Sequence, residues 1–344
     1  MPPRRSFTLA GTLTTVAGIA LFLWLVWNAG PQAIWRGLGQ VGWGIVAIFG
    51  MGGLRFAARA SAWIRCLEPP HTLRLSEAFT AVVSGDALGN ATPLGPLVGE
   101  PAKVAFVRTR VPLGVAFTAL AIENVFYTLS VVAMIAAGMI ALLLRGGLAR
   151  DLQLAAEIAI ASVLLAYVAV AWTLWRKPAL LSTTVAFAGR FARWQGLTAR
   201  LDKVRRLEQD IYTFATRRRQ AVGSLVATEL TFHALAVFEV HLTLWLLFPP
   251  DQAPSLVTSF ILETAHRLIT VLFKFVPMQQ PGVSEVGTML VAQLLGLNAQ
   301  AASTLVIVRR ARMIFWQLAG TALLVRHGIT ARRILDDAEL SASG

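Results

Sequence analysis

Charged residues interrupt several long apolar stretches of this sequence, and their side chains could bind a charged ligand. Glu123 and Glu263 are the acidic examples, and Arg309, Arg310 and Arg312 form a basic group in a later stretch. A charge at the centre of a membrane-spanning helix costs about 2.5–3.5 kcal/mol on insertion scales, so such residues usually pair or line a cavity. We therefore expect ion pairs between Glu123 or Glu263 and these arginines, or a polar cavity that they line.

Some of these charges have a simpler interpretation, because long side chains near the end of a span can reach the aqueous interface. Roughly half of the charges within apolar stretches fit that structural role. Arg55, Arg59 and Lys274 are the best candidates for it.

Acid–base chemistry would need residues such as Glu229 and His233, which are four positions apart and share one helix face. His266 lies on the next apolar stretch. The metalloprotease pattern, two histidines four apart with a glutamate between them, is absent, as is a glycine-rich phosphate loop. The single cysteine, Cys66, provides neither an internal disulfide nor a cysteine metal site. We expect no metal, no cofactor and no enzymatic activity, and hence a protein that handles a ligand without reacting with it.

The elements that must position these residues are membrane helices. Of the 344 residues, 56% are hydrophobic and only 14% are charged, whereas soluble domains contain about 25% charged residues. This composition excludes a soluble enzyme, a disordered chain and a secreted disulfide scaffold. It predicts an all-α polytopic integral membrane protein with about 7–8 transmembrane helices. The net charge of +13 then reflects basic cytoplasmic loops, so we expect no nucleic-acid partner.

Seven apolar stretches are long enough to cross a bilayer, which takes about 20 residues. They cover residues 9–27, 41–63, 115–144, 154–175, 222–247, 256–275 and 301–324. Residues 176–219 hold eleven Lys or Arg against three Asp or Glu, and their apolar residues recur at helical spacing. We predict an amphipathic cytoplasmic loop there, and hence a cytoplasmic N-terminus. An odd number of spans would put the polar tail, residues 326–344, outside, although its arginines favour the inside.

Two segments rich in proline and glycine, residues 84–100 and 275–297, break this pattern in a similar way. In each, helix-ending residues precede a glutamate that starts a new helical run, Glu100 in the first and Glu285 in the second. A second charged position follows each glutamate, 23 and 24 residues later. Non-helical backbone at membrane depth is tolerated only where protein buries it or water reaches it. We predict two broken, re-entrant segments in a degenerate internal repeat, with ordinary loops as the alternative.

The whole chain, residues 1–344, is thus predicted to be one membrane domain. Residues 1–175 form the first half and residues 220–325 the second. Candidate lipid-binding residues lie in or near the broken segments and the charged stretches. They are Asn90, Pro93, Gly99, Glu100, Glu123, Glu263, Arg267, Gly282, Glu285, Arg309, Arg310 and Arg312.

The order of several short motifs carries a family resemblance. They are Gly85–Pro93, Val98–Glu100, Phe238–Leu247, Leu262–Thr264, Arg267, Phe275–Pro277, Gly282, Glu285, Gly287 and Val308–Arg312. Together they resemble the lysylphosphatidylglycerol synthase transmembrane-region family, also called the flippase-like domain family. Within it, the chain is most similar to hopanoid-biosynthesis-associated membrane proteins. It departs from the family at Val98, where a second glycine is usual, and at Ser284–Gly287, where Glu-Gly-Gly is usual.

The resemblance implies a translocator that moves an amphipathic lipid, anionic or of hopanoid or glycolipid type, between leaflets of the bacterial inner membrane. Arg309, Arg310 and Arg312 would neutralise a headgroup phosphate in a groove between the two broken segments. Relatives with a fused lysyl-transfer domain are synthases, and because these residues lack that domain we expect no such activity. Two alternatives remain: a scaffold for lipid-biosynthetic enzymes, and a membrane-embedded headgroup enzyme that uses Glu229, His233 or His266.

Overall fold

A computed structural model describes residues 31–90, 95–146, 201–272 and 280–327, with individual positions between 150 and 165. Nearly all of this chain is helical, and none of the described residues lies in a strand. The predicted all-α fold is therefore confirmed. In chain order the helices are α1 (Pro31–Val41), α2 (Gly44–Cys66), α3 (Leu75–Asn90), α4 (Pro96–Val107), α5 (Leu113–Arg145), α6 (Leu201–Arg217), α7 (Arg219–Leu247), α8 (Leu256–Leu272), α9 (Gln280–Leu294) and α10 (Ala299–His327).

Helices α2, α5 and α7 are long and apolar enough to cross a membrane. They match three of the predicted spans. Helices α8 and α10 coincide with two more, but α8 has only 17 residues and α10 carries four arginines. The span predicted at residues 9–27, and most of the one at 154–175, lie outside the described residues. Helix α6 occupies the end of the predicted basic loop, 176–219, and α7 begins at Arg219.

The first broken segment is more helical than predicted, since only residues 91–95 separate α3 from α4. Its glycines are tolerated inside helices because the two helices form a tightly packed antiparallel hairpin. A Cβ added at Gly85 would lie 2.8 Å from the Gly99 carbonyl oxygen, and one added at Gly99 would lie 2.9 Å from that of Gly85. Close backbone approach, rather than chain breaking, explains these two positions.

The second broken segment is likewise helical over α9, where an irregular stretch was predicted for residues 275–297. Residues 273–279 lie outside the description. Helices α8 and α9 therefore form the counterpart of the α3–α4 pair, at the same place in the second half of the chain.

One face of the bundle collects the end of α2 and the starts of α5 and α7, and we call it the Leu67 face. Arg218 Nη1 donates a hydrogen bond to the Leu67 carbonyl oxygen at 2.9 Å, and Trp63 Nε1 donates one to that of Ala116 at 3.1 Å. Short connections join α2 to α3 and α4 to α5. The α3–α4 hairpin therefore begins and ends at the Leu67 face.

The opposite face, which we call the Arg145 face, collects the end of α5 and both ends of the α8–α9 pair. Arg145 at the end of α5 donates hydrogen bonds to Thr258 Oγ1 at 3.1 Å and to the Leu295 carbonyl oxygen at 3.2 Å. Helix α10 starts beside this face and runs in the same direction as α2. Its Thr304 contacts Gln40 at 2.7 Å, before α2 begins.

The two halves also pack across one another. A Cβ at Gly320 of α10 would clash with the backbone of Val83 on α3 and would lie 2.6 Å from Ala87 Cβ. A Cβ at Gly138 of α5 would clash with Thr264 of α8. Each helix pair thus lies against a long helix of the other half, with a glycine allowing the close contact.

Candidate ligand-binding cavity

A cavity of about 570 Å³ lies among α2, α3, α4, α5, α7 and α10. Ligand-binding pockets typically measure about 300–1,000 Å³, so the cavity has room for a small polar ligand or a lipid headgroup. Its lining is unusually polar for the interior of an apolar helical bundle. The lining residues are Gly52, Arg55, Phe56, Arg59, Gly85, Asp86, Gly89, Asn90, Gly95, Gly99, Glu100, Lys103, Asn124, Tyr127, Thr128, Phe232 and Arg312.

The α3–α4 hairpin contributes two carboxylates that share one lysine. Lys103 Nζ lies 2.7 Å from Asp86 Oδ1 and 3.0 Å from Glu100 Oε1. The lysine side chain is 3% exposed, whereas those of Asp86 and Glu100 are 38% and 27% exposed. The ammonium group is therefore enclosed while both carboxylates stay open toward the cavity.

Asn124 of α5 connects this group to an arginine of α2. Its Nδ2 donates to Glu100 Oε2 at 3.2 Å, and its Oδ1 accepts from Arg59 Nη2 at 3.3 Å. Arg59 also pairs with Glu123 through Nε and Oε1 at 2.8 Å, and its guanidinium lies 3.8 Å from the Tyr127 ring centre. We call Asp86, Lys103, Glu100, Arg59 and Glu123, with Asn124 between them, the hairpin network.

A second group centres on Glu239 of α7, which is 3% exposed. Its two oxygens receive two arginines: Arg55 of α2 through Nη1 at 3.1 Å, and Arg312 of α10 through Nε at 2.7 Å. Arg55 also lies over the Phe232 ring, 4.8 Å from its centre. We call Glu239, Arg55 and Arg312 the Glu239 network.

The local sequence explains how these arginines reach the interior. Arg55 and Arg59 are four residues apart and share one face of α2, and both side chains are turned inward. This corrects the expectation that they extend to the interface. Gly52 of α2 lets α10 approach closely, since a Cβ there would lie 2.6 Å from Trp316 Nε1 and 3.1 Å from Arg312 Cδ. That approach brings Arg312 within reach of Glu239.

A third ionic group lies apart from the cavity lining. Glu263 pairs with Arg267 Nε at 2.9 Å and with Arg309 Nη2 at 2.6 Å, and all three side chains are less than 10% exposed. The predicted pairing of Glu263 with the arginine group is confirmed. For Glu123 the partner differs, because Arg59 of α2 is nearer than the arginines of α10. We call these three residues the Glu263 network.

The structure distributes the predicted binding residues over several places. Asn90, Gly99, Glu100 and Arg312 line the cavity, and Glu123 supports it through Arg59. Glu263, Arg267 and Arg309 form the separate Glu263 network.

The structure does not place the remaining candidate residues in the cavity lining. Arg310 is half-buried on α10 and does not line the cavity. Gly282 and Glu285 lie on α9, but their side chains are outside the description, as is the whole of Pro93.

Four charged lining residues were not among the predicted binding residues: Arg55, Arg59, Asp86 and Lys103. The sequence holds a signal for each of them. The arginines are four residues apart, Asp86 lies inside the first broken segment, and Lys103 follows Glu100 by three positions. Their convergence comes from three helices and therefore depends on tertiary packing.

The histidines considered for catalysis lie elsewhere in the bundle. His233 Nε2 is 2.8 Å from Ser130 Oγ, and His266 Nδ1 is 3.0 Å from Thr288 Oγ1. Neither lines the cavity. Within the described part of the chain, no three His, Cys, Asp or Glu side chains come together to hold a metal ion.

Comparison with known sequences places the chain in a wider context. The family model described as the lysylphosphatidylglycerol synthase TM region matches residues 9–320. The match therefore covers both helix pairs, all three ionic networks and the cavity. No curated protein and no solved structure matches the chain.

Proposed function

The chain belongs to the family of the lysylphosphatidylglycerol synthase transmembrane region, and from this premise we propose that it is a lipid translocator. It moves an amphipathic lipid between the leaflets of a bacterial inner membrane. The family connects the chain with membranes and lipid metabolism. The translocation step is our proposal, as is the resemblance to hopanoid-associated relatives.

The charged cavity within the helical bundle is the observation that carries this proposal. Three helices long and apolar enough to cross a membrane contribute to its wall, while large apolar side chains such as Leu54, Leu230 and Phe238 lie exposed on the outside of the same helices. A lipid headgroup can exchange its hydration shell for the cavity's charges, while the acyl chains stay against the apolar surface. Paired, interrupted helices of this kind mark the substrate sites of transporters.

We place the Leu67 face on the cytoplasmic side. Basic residues concentrate there, and cytoplasmic loops carry an excess of Lys and Arg. They include Arg65, Arg74, Arg108, Arg110 and Arg217–Arg219. The connection between α7 and α8 at the Arg145 face has a single charged residue, Asp251. This orientation agrees with a cytoplasmic N-terminus.

We further propose that the two helix pairs are re-entrant and related by an inverted repeat. The α3–α4 hairpin begins and ends at the Leu67 face, and the α8–α9 pair begins and ends at the Arg145 face. In chain order each pair is flanked by two long helices, which are α2 and α5 in the first half and α7 and α10 in the second. In transporters with inverted repeats, one repeat rocks against the other around a central site, so that access alternates between the two sides.

We propose that the lipid leaves the protein chemically unchanged. In support, the residues with acid–base potential, His233 and His266, are directed at hydroxyl groups of neighbouring helices instead of the cavity. A scaffolding role would not require charges inside a cavity, so we rank it behind translocation.

Leaflet exchange of fluorescent phospholipids in proteoliposomes tests the proposal, with dithionite quenching of the outer leaflet as the readout. We expect exchange with the native protein and a loss of about tenfold or more in Arg312→Ala, because one charge-assisted contact to the headgroup is removed. Arg326→Ala, which changes an exposed arginine of the same helix, is the matched control and should retain exchange. Equal rates in empty liposomes and in protein-containing liposomes would refute translocation.

A further inference from the structure

The charges around the cavity are divided unequally between its two networks. The hairpin network has three carboxylates, Asp86, Glu100 and Glu123, and two cations, Lys103 and Arg59. Its formal charge is therefore −1.

The Glu239 network has two cations, Arg55 and Arg312, and one carboxylate, and its formal charge is +1. Glu123 and Glu239 pair with lining arginines from outside the lining, while the other charged residues of both networks line the same cavity. Taken together the two networks are neutral, with a negative side at the hairpin and a positive side at Arg55 and Arg312.

From this distribution we infer that the cavity binds a zwitterionic headgroup, in which one primary amine and one phosphodiester balance each other. The inference rests on the proposed translocator function and names its substrate class. It replaces the anionic, hopanoid-type and glycolipid-type headgroups suggested by the sequence.

The amine fits the carboxylates of the hairpin. Asp86 and Glu100 are the most exposed of the charged side chains in the two networks, and their shared partner Lys103 is enclosed behind them. A ligand ammonium group can therefore approach both carboxylates from the cavity without displacing Lys103. Charge-assisted hydrogen bonds of this kind are roughly twice as strong as those between neutral groups.

The phosphodiester fits Arg55 and Arg312. Glu239 neutralises only one of these two guanidinium groups, and each contacts it mainly through a single nitrogen, Nη1 of Arg55 and Nε of Arg312. Guanidinium groups carry five N–H donors in a planar fork and suit phosphate oxygens. Their side chains are 16% and 19% exposed, so they remain accessible from the cavity.

Electrostatic balance argues against the other headgroup classes. A purely anionic headgroup has no cation to place against the carboxylates of the hairpin. A cationic headgroup has excess positive charge, which the two arginines would repel. Like charges brought together at a desolvated site repel each other strongly, so only the zwitterion satisfies both sides.

Native mass spectrometry of the delipidated, detergent-solubilised protein provides the test. The probes are dioleoyl phosphatidylethanolamine, dioleoyl phosphatidylglycerol and lysyl-phosphatidylglycerol, which are zwitterionic, anionic and cationic respectively. Glycerophosphoethanolamine, the same headgroup without acyl chains, shows whether the lipid tails are needed. We expect the native protein to retain phosphatidylethanolamine at least tenfold better than either charged lipid.

Two variants assign the two sides of the cavity. Asp86→Asn should lower the preference for phosphatidylethanolamine over phosphatidylglycerol about tenfold, because the amine loses a carboxylate. Arg312→Gln should weaken the binding of both phosphatidylethanolamine and phosphatidylglycerol, because both lipids contain the phosphodiester. Asp251→Asn, in an exposed loop, is the matched control and should leave the ratio unchanged. If Asp86→Asn does not fold, Glu100→Gln tests the same side.

The outcomes separate this inference from the proposed function. Equal or better retention of phosphatidylglycerol or lysyl-phosphatidylglycerol by the native protein overturns the zwitterion while leaving translocation intact. Selective retention of phosphatidylethanolamine without leaflet exchange supports the site and contradicts the translocator. An unchanged lipid ratio in both Asp86→Asn and Glu100→Gln overturns the assignment of the amine to the hairpin.

Discussion

At the scale of single residues, charge pairing governs how this chain tolerates ionised groups between apolar helices. Five arginines share three glutamates: Arg55 and Arg312 with Glu239, Arg59 with Glu123, and Arg267 and Arg309 with Glu263. The excess of arginines is partly offset by the faces of aromatic rings, as for Arg59 over Tyr127. A buried charge that keeps a partner avoids most of the cost of burial, whereas one that loses its partner does not.

The Glu263 network allows the cost of leaving a buried charge without its partner to be measured. Glu263→Gln would leave Arg267 and Arg309 buried without a carboxylate, so we expect a loss of about 3–5 kcal/mol in the free energy of unfolding. Reversible unfolding in mixed detergent micelles, followed by tryptophan fluorescence, gives this value.

Glu77→Gln is the control for that experiment. Its pair with Arg110, at 3.1 Å, is open to solvent on the arginine side, which is 61% exposed, and exposed pairs contribute about 0–1 kcal/mol. Similar losses in both variants would contradict the structural role of the Glu263 network.

At the scale of helices, glycine decides which pairs can touch. Gly85 and Gly99 bring together the two helices of the first hairpin, and Gly138 and Gly320 bring each half against the other. The Gly85–Gly99 contact brings Asp86 and Glu100 to one cavity, and close packing at Gly52 brings Arg312 to it. Helix packing at glycine positions therefore shapes the cavity as directly as the charged residues that line it.

Gly138→Ala tests the contact between the halves. Its added methyl group would overlap the Thr264 side chain, and overpacking of a close contact costs about 1–3 kcal/mol. We expect a corresponding fall in thermal stability, measured by intrinsic fluorescence in detergent.

Gly223→Ala on α7 is the matched substitution, since nothing lies within 4 Å of its added methyl group. Alanine favours a helix over glycine by up to about 1 kcal/mol, so this variant should be unchanged or slightly more stable. A loss of stability in Gly223→Ala as large as that in Gly138→Ala would show that the contact with Thr264 is not the cause.

At the scale of the whole molecule, the orientation of α10 bears on the side of the C-terminus. Helix α10 runs in the same direction as α2, so its end and Arg326 lie toward the Leu67 face. An odd count of spans would put the tail on the outside. In the re-entrant arrangement that we propose, however, the second helix pair adds no crossing. In the proposed orientation Arg326 then shares a side with the basic loops at the Leu67 face, as expected for cytoplasmic segments.

Labelling of introduced cysteines tests this arrangement. In a Cys66→Ala background, an impermeant maleimide should label Asp251→Cys in intact cells. It should label Glu68→Cys, Arg217→Cys and Arg326→Cys only after permeabilisation, because these exposed positions lie at the Leu67 face. Labelling of Arg326→Cys in intact cells would contradict the direction assigned to α10.

Sequence patterns alone indicated much of the architecture. Apolar length located α2, α5 and α7, and the spacing of proline, glycine and glutamate located two interrupted regions. The helices inside those regions were missed, because the sequence does not show that a glycine faces another backbone instead of ending a helix. Glu100 and Arg312 were found from their charge in an apolar context, whereas Arg55 and Arg59 were assigned to the interface because each lies near the end of its span.

That this is a helical membrane protein follows from the sequence alone, since apolar length and low charge density depend only on composition and order along the chain. The ordered motifs also indicated the family, whose model matches residues 9–320. Which charges meet, in contrast, depends on the packing of the helices. Ion pairs such as Arg55–Glu239 and Arg309–Glu263 join residues 184 and 46 positions apart, and the 3–4-residue periodicity of a helix carries no information about partners on another helix. Those pairings separate the charges around the cavity from the charges that hold the bundle together.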